Sequence, residues 1–264
     1  MVIPIADVNP VRRRAVVTPL LLLLNVLIFF TEPVSGVTRG ATTDLGRSCE
    51  DQAYFREYAA IPRELTRNAP LEEPVPTGDV GRDPATGEPG CVVGPPLREK
   101  VPALSVLSAM FLHGGWAHLL GNMLFLAVFG NNIEDRFGRL RYLLFYLGCG
   151  YLATYAYALF YADTTTPLVG ASGAIAGVLG AYFLLFPRAR IVALVPFLLF
   201  LPLRIPAWLV LGSWFLVQYV YFTGAGMASS VGVAYLAHVA GFVAGVAGAM
   251  LLRRRNRPTR FAGY

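Results

Sequence analysis

A succession of apolar runs, each near the length that crosses a bilayer, constrains this chain more than any other feature. A hydrocarbon core about 30 Å thick takes about 20 predominantly apolar residues per helix. Six stretches approach that length: 16–31, 116–131, 142–161, 171–186, 205–222 and 232–252. A further run, 191–203, is short and interrupted by Pro196 and Pro202, so it reads as an interfacial or re-entrant piece. Residues 104–113 form an apolar but broken approach to the second span. The expected fold class is all-α: a polytopic membrane protein, a bundle of six transmembrane helices. Composition agrees, since 14% of the residues are charged against about 25% in soluble domains. That excludes an ordinary soluble enzyme, a disordered chain and a nucleic-acid-binding module.

Charge placement sets the orientation. With the N-terminus cytoplasmic, fourteen of the 22 basic residues fall in cytoplasmic loops and ends, among them Arg12, Arg136, Arg188, Arg204 and Arg253. They face three acids there, Asp7, Glu134 and Asp135. Short basic loops lie inside, so six spans with both termini cytoplasmic is the consistent count, and a seventh would place the basic tail outside. The net charge of +6 thus points to a membrane and not to nucleic acid. The expected organisation is a cytoplasmic segment 1–15, a first helix 16–31, a long external loop 32–101, a core of spans two to six over 102–252, and a basic tail 253–264. Arg12, Arg13 and Arg14 before an apolar run also suit a secretory signal, but Glu32 and Pro33 follow at once with no small-residue cleavage site, which favours an anchor. The loop carries seven prolines between Pro70 and Pro96, a composition that suggests partial disorder. Cys49 and Cys91 both lie in it, on the side where disulfides persist. A bridge is favoured there over two free thiols.

Polar side chains inside spans are costly and mark function. No Asp or Glu falls within any of the six, which argues against a proton-coupled transporter. Ser172 opens the fourth span, where an N-cap is the plain alternative to chemistry. Gly173, Gly177 and Gly180 follow as a small-residue stripe. In the sixth span His238, Gly241, Gly245 and Gly248 share one helix face. If the two glycine faces meet, Ser172 and His238 come together at matching depth, and the histidine becomes a plausible general base for the serine. His118 and Asn122, four residues apart at the entry to the second span, offer N–H donors to an oxyanion. A bundle-holding hydrogen bond, or a metal site of His113, His118 and His238, stands as the alternative. No carboxylate or thiolate accompanies those histidines, which disfavours the metal.

In combination these residues resemble the bacterial rhomboid intramembrane serine proteases. The motifs are the His113, His118 and Asn122 run, Glu134 to Gly138 after the second span, Gly170-Ala171-Ser172-Gly173, and Ala237-His238 followed by Gly241 and Gly245. The resemblance implies a rhomboid-like bundle with a Ser172–His238 dyad and no cofactor. It implies an oxyanion hole of His118, Asn122 and the Ser172 N–H, with His113 supporting. Glu134 and Arg136 would brace the cytoplasmic end after span two, or form a solvated ion pair. The implied partners are single-pass transmembrane protein substrates and the lipid bilayer. The implied location is the bacterial cytoplasmic membrane, with the site open to the non-cytoplasmic side. Two departures stand out: the first external loop has no Trp-Arg pair, and Ala176 occupies a position where some members place an aromatic against the histidine. A protease-inactive relative that binds membrane clients is the alternative function, although such relatives typically lack the serine or histidine. A transporter or channel fits less well, for want of membrane carboxylates.

Overall fold

The computed structural model describes residues 2–37, 40–41, 43–82, 86–196, 199–224 and 234–252. The expected basic tail and the first two residues of the sixth run lie outside the described residues. In chain order the elements are β1 (Ile3–Asp7), α1 (Val17–Phe29), α2 (Asp44–Tyr58), α3 (Pro62–Arg67), β2 (Val75–Arg82), β3 (Pro89–Gly94) and α4 (Pro102–Ala109). There follow α5 (Trp116–Phe137), α6 (Arg139–Phe160), α7 (Ser172–Leu185), β4 (Arg190–Val195), β5 (Leu201–Pro206), α8 (Ala207–Phe222) and α9 (Tyr235–Leu252). Each of the six apolar runs holds one helix. Two of these, α6 and α9, are long and apolar enough to cross a membrane by themselves, while α1, α7 and α8 are shorter apolar helices.

The bundle is built around α7, which touches α5, α6, α8 and α9 and is buried from Ala174 through Tyr182. Its glycines allow this. A Cβ on Gly241 would land on the Gly173 carbonyl oxygen, one on Gly245 on that of Gly177, and one on Gly180 on that of Phe242. The backbones of α7 and α9 therefore meet with no side chain between them, which is how small residues let helices associate in lipid. Gly248 departs from the expected stripe: its missing side chain makes room for Phe145 of α6. Helices α5 and α6 are separated by Gly138 alone, at φ 79°, a left-handed value that favours glycine. Outward faces carry exposed leucines, such as Leu20, Leu23 and Leu27 on α1 and Leu140 and Leu144 on α6.

Three expectations need correction. The molecule is mostly helical but not all-α, since β1, β4 and β5 form one antiparallel sheet and β2 and β3 another. The run 191–203, expected to be an interfacial or re-entrant piece, holds two paired antiparallel strands, β4 and the start of β5. Its Pro196 falls just past β4, and Pro202 sits on β5, the edge of the sheet, where a missing N–H is tolerated. The loop expected to be external and partly disordered holds α2, α3 and the β2–β3 pair among its described residues. Its Ala60 and Leu65 join a small buried cluster with Val106, Ala109 and Ala158, and cross-links add to that. Cys49 is bonded to Cys91, a restraint typically worth about 2–4 kcal/mol. Lys100, the only lysine in the chain, lies buried 2.8 Å from Glu64 and donates to the carbonyls of Arg56 and Ala59.

Glu134 also acts differently from the expected brace or solvated pair. Its carboxylate accepts the backbone N–H groups of Val16, Val17 and Thr18 at 2.7–2.9 Å, and the Thr18 hydroxyl at 2.9 Å. It therefore caps α1 from α5, satisfying donors that a helix start leaves open. Arg136 is exposed and makes no ion pair with it among the described residues.

Candidate active site

The N-terminal turns of α5, α7 and α9 open onto a cavity of about 690 Å³ lined by His118, Asn122, Ser172, His238 and Trp214. Four sequence-predicted site residues are thus brought to one place. Ser172 is the first residue of α7, and the helix has no side-chain cap, so its hydroxyl is not spent as an N-cap. Its own N–H belongs to the open donors of a first turn.

His238 is held from α8. Its Nδ1 lies 2.7 Å from Gln218 Oε1, and because an amide oxygen only accepts, Nδ1 carries the proton. The other ring nitrogen, Nε2, is then the basic one. Trp214, one turn before Gln218, lies against the same ring, with centroids 5.9 Å apart. It occupies the role expected of an aromatic at position 176. Ala176 instead packs against α9, where it is the near neighbour of Gly241. Neither Gln218 nor Trp214 was singled out from the sequence. An amide inside the fifth apolar run was the available signal, by the same rule that flagged the histidines.

His118 is oriented by the glycines around it. Its Nδ1 accepts the Gly114 N–H at 3.3 Å, which leaves the proton of the neutral ring on Nε2. That nitrogen lies against Gly170: a Cβ there would fall 2.7 Å from His118 Nε2. Gly170 has φ 120° and donates its N–H to the Ala109 carbonyl at 2.8 Å. The residue two before the serine is therefore glycine for both conformation and space. Asn122 is buried at 8% exposure, and its Nδ2 has no hydrogen-bond partner among the described residues. Buried donors are normally paired, so an unpaired one beside a hydroxyl and an imidazole asks for an acceptor.

His113 stands behind this row, its ring 5.1 Å from that of His118. Burial, with His118 alongside, lowers its pKa to about 3, so it is neutral. Its backbone N–H donates to both carboxyl oxygens of Glu32, at 3.0 and 3.2 Å. Glu32 is fully buried, and burial raises its pKa to about 8. The span rule missed it because it sits one residue past the first run. Among the described residues, no three metal-ligating side chains group to hold an ion.

Comparison with known proteins gives a family match to the Rhomboid domain over residues 102–255, more than half of the chain. Rhomboid protein 1, mitochondrial, of Saccharomyces cerevisiae is 32% identical over 149 residues, which cover 54% of this chain and 40% of the yeast protein. RHOMBOID-like protein 6, mitochondrial, of Arabidopsis thaliana is 41% identical over 76 residues, 29% of this chain and 24% of that protein. Rhomboid protease GluP of Bacillus subtilis is 42% identical over 76 residues, 29% of this chain and 14% of that protein. The chain thus aligns with less than half the length of each.

Proposed function

The chain belongs to the rhomboid family, and on that premise we propose that it is an intramembrane serine endopeptidase that cleaves single-pass transmembrane proteins. Ser172 is the nucleophile. Its Oγ–H gives its proton to His238 Nε2 as Oγ attacks the scissile carbonyl carbon. The oxygen that becomes an anion takes N–H donors from the Ser172 backbone, Asn122 Nδ2 and His118 Nε2. His238 then returns the proton to the departing amine, and water releases the acyl group by the reverse route. Gln218 keeps the imidazole in the tautomer this needs, without a carboxylate. The observation that carries the reading is the cavity in which a serine hydroxyl not used as a helix cap, an oriented histidine and an amide donor unpaired among the described residues meet.

In this reading all six helices of the apolar runs cross the membrane and both termini are cytoplasmic. The location is a bacterial cytoplasmic membrane. The fourteen residues of α7 cover about 21 Å at 1.5 Å per residue, against about 30 Å of hydrocarbon. A helix that reaches the inner face therefore starts its serine below the outer face, with the cavity open to the non-cytoplasmic side. The test is cleavage of a generic single-pass substrate by purified protein in lipid vesicles, together with labelling of Ser172 by a fluorophosphonate. Wild type should cleave and label while Ser172→Ala does neither. A wild-type protein that neither cleaves nor labels would leave the client-binding alternative.

A further inference from the structure

The external loop does more than cover the bundle: it is bonded along the segment that leads to Ser172. Ala60 and Leu168 exchange backbone hydrogen bonds of 3.2 and 2.7 Å. Arg63 donates from its backbone N–H to the Thr164 carbonyl and from Nε to the Asp163 carbonyl, both at 3.1 Å. The Thr66 hydroxyl reaches the Ala162 carbonyl at 3.2 Å. The loop side is itself fixed, by the Cys49–Cys91 bond and the buried Lys100–Glu64 pair.

Between α2 and this bonded segment runs a groove of about 750 Å³, whose lining includes Ser48, Gln52, Phe55, Thr165, Pro167 and Val169. Pro167 and Val169 also line the catalytic cavity, so the groove and the cavity lie side by side along the segment that leads to Ser172. The α2 side is polar and charged: Ser48 and Gln52 are exposed and linked to each other one turn apart, and Asp44, Arg47, Asp51 and Arg56 line it with them. A lipid chain would leave those groups without water or partner, whereas an extended peptide offers them its own N–H and C=O groups. Phe55, Pro167 and Val169 supply apolar surface for alternate side chains.

We propose that this groove is a docking site for the substrate's extended segment just outside the membrane, so that the external loop helps select which membrane proteins reach Ser172. The inference rests on the proteolytic reading above. It makes specificity a property of two places: the cavity reads the residues at the cleavage point, and the groove reads the residues that lead away from it.

The experiment uses the full chain in vesicles with two substrates that share one membrane segment. One carries about a dozen residues outside the membrane, enough at about 3.3 Å per residue to run the groove; the other keeps a stub too short to enter it. Gln52→Trp fills the groove and touches none of the catalytic groups. It should lower kcat/KM about tenfold for the long substrate, while the stub substrate and fluorophosphonate labelling of Ser172 stay at wild-type levels. Unchanged cleavage of the long substrate, or an equal fall for both substrates, would overturn the groove. A photo-crosslinker placed at Ser48 in the Ser172→Ala protein gives a readout independent of turnover. It should attach to the external segment of the long substrate, and its failure to do so would also overturn the proposal. Absence of wild-type cleavage and labelling would instead strike the proteolytic reading, leaving the crosslink to decide the groove.

Discussion

Asn122 and Asn132 are both buried on α5, about 15 Å apart along its axis at 1.5 Å per residue, and they are satisfied in opposite ways. Asn132 donates to Asp7 at 2.6 Å and accepts from the Asn9 side chain at 3.2 Å. Asp7 in turn accepts the Tyr182 hydroxyl at 2.5 Å. Thus the N-terminal strand, α5 and α7 are tied together at that end. At the other end, the Nδ2 of Asn122 has no hydrogen-bond partner among the described residues. One helix therefore carries a closed polar network at its C-terminal end and an open donor at its N-terminal end. Closed networks hold a fold, and open donors in a cavity await a ligand group. The same contrast separates Glu134, whose carboxylate takes four donors, from Ser172, whose hydroxyl takes no part in capping its helix.

The largest effect that would sharpen this contrast is at the open end. Ser172→Ala should reduce peptide cleavage by about 10⁴-fold or more with no loss of thermal stability, measured as turnover in vesicles beside a melting curve. A comparable rate in the variant would remove the serine from the chemistry. Gln218→Leu should lower kcat about tenfold or more by freeing the imidazole to rotate and change tautomer, again with the fold intact. A variant as active as wild type would mean that Trp214 alone orients His238.

At the closed end the signs reverse. Glu134→Ala removes a carboxylate from four donors and should cost about 3 kcal/mol of stability, while the rate per folded molecule is preserved. Asn132→Ala should cost about 1–2 kcal/mol in the same way. If either variant lost activity without losing stability, the division of α5 into a structural and a chemical end would fail.

A pH dependence that belongs to Glu32 is expected as well. Burial raises its folded pKa from the ordinary 4.5 to about 8, so between those values the folded protein holds a proton that the unfolded chain releases. The stabilisation is complete below about pH 4.5 and is lost as pH rises towards 8. Glu32→Gln should flatten that decline in melting temperature. A decline of unchanged slope would assign it to other groups.

The four residues that line the candidate site together were legible because their signals are local. Ser172 opens a glycine-rich helix, His238 sits three residues before Gly241 on the facing one, and His118 and Asn122 share a helix face. What was missed depends on pairing across the chain. Gln218 acquires meaning only from a histidine twenty residues later. Glu32 lies just outside the first apolar run yet ends up beneath His113. The sheet of β1, β4 and β5 joins residue 3 to residue 194, and two prolines in 191–203 masked its strands until the edge position explained them. The long loop after α1 misled because its proline content does not reveal that Ala60 and Leu65 pack with Val106, Ala109 and Ala158, or that a disulfide and a buried ion pair fasten it.

The most direct measurement is the turnover and melting temperature of Asn122→Ala, taken side by side with Asn132→Ala on one membrane substrate. Loss of one oxyanion donor is typically worth about 2.7–4 kcal/mol, so Asn122→Ala should fall about 10²–10³-fold in kcat at unchanged melting temperature, while Asn132→Ala melts earlier and cleaves normally. An Asn122→Ala protein that cleaves at the wild-type rate but melts early would contradict the assignment of its open donor to the transition state.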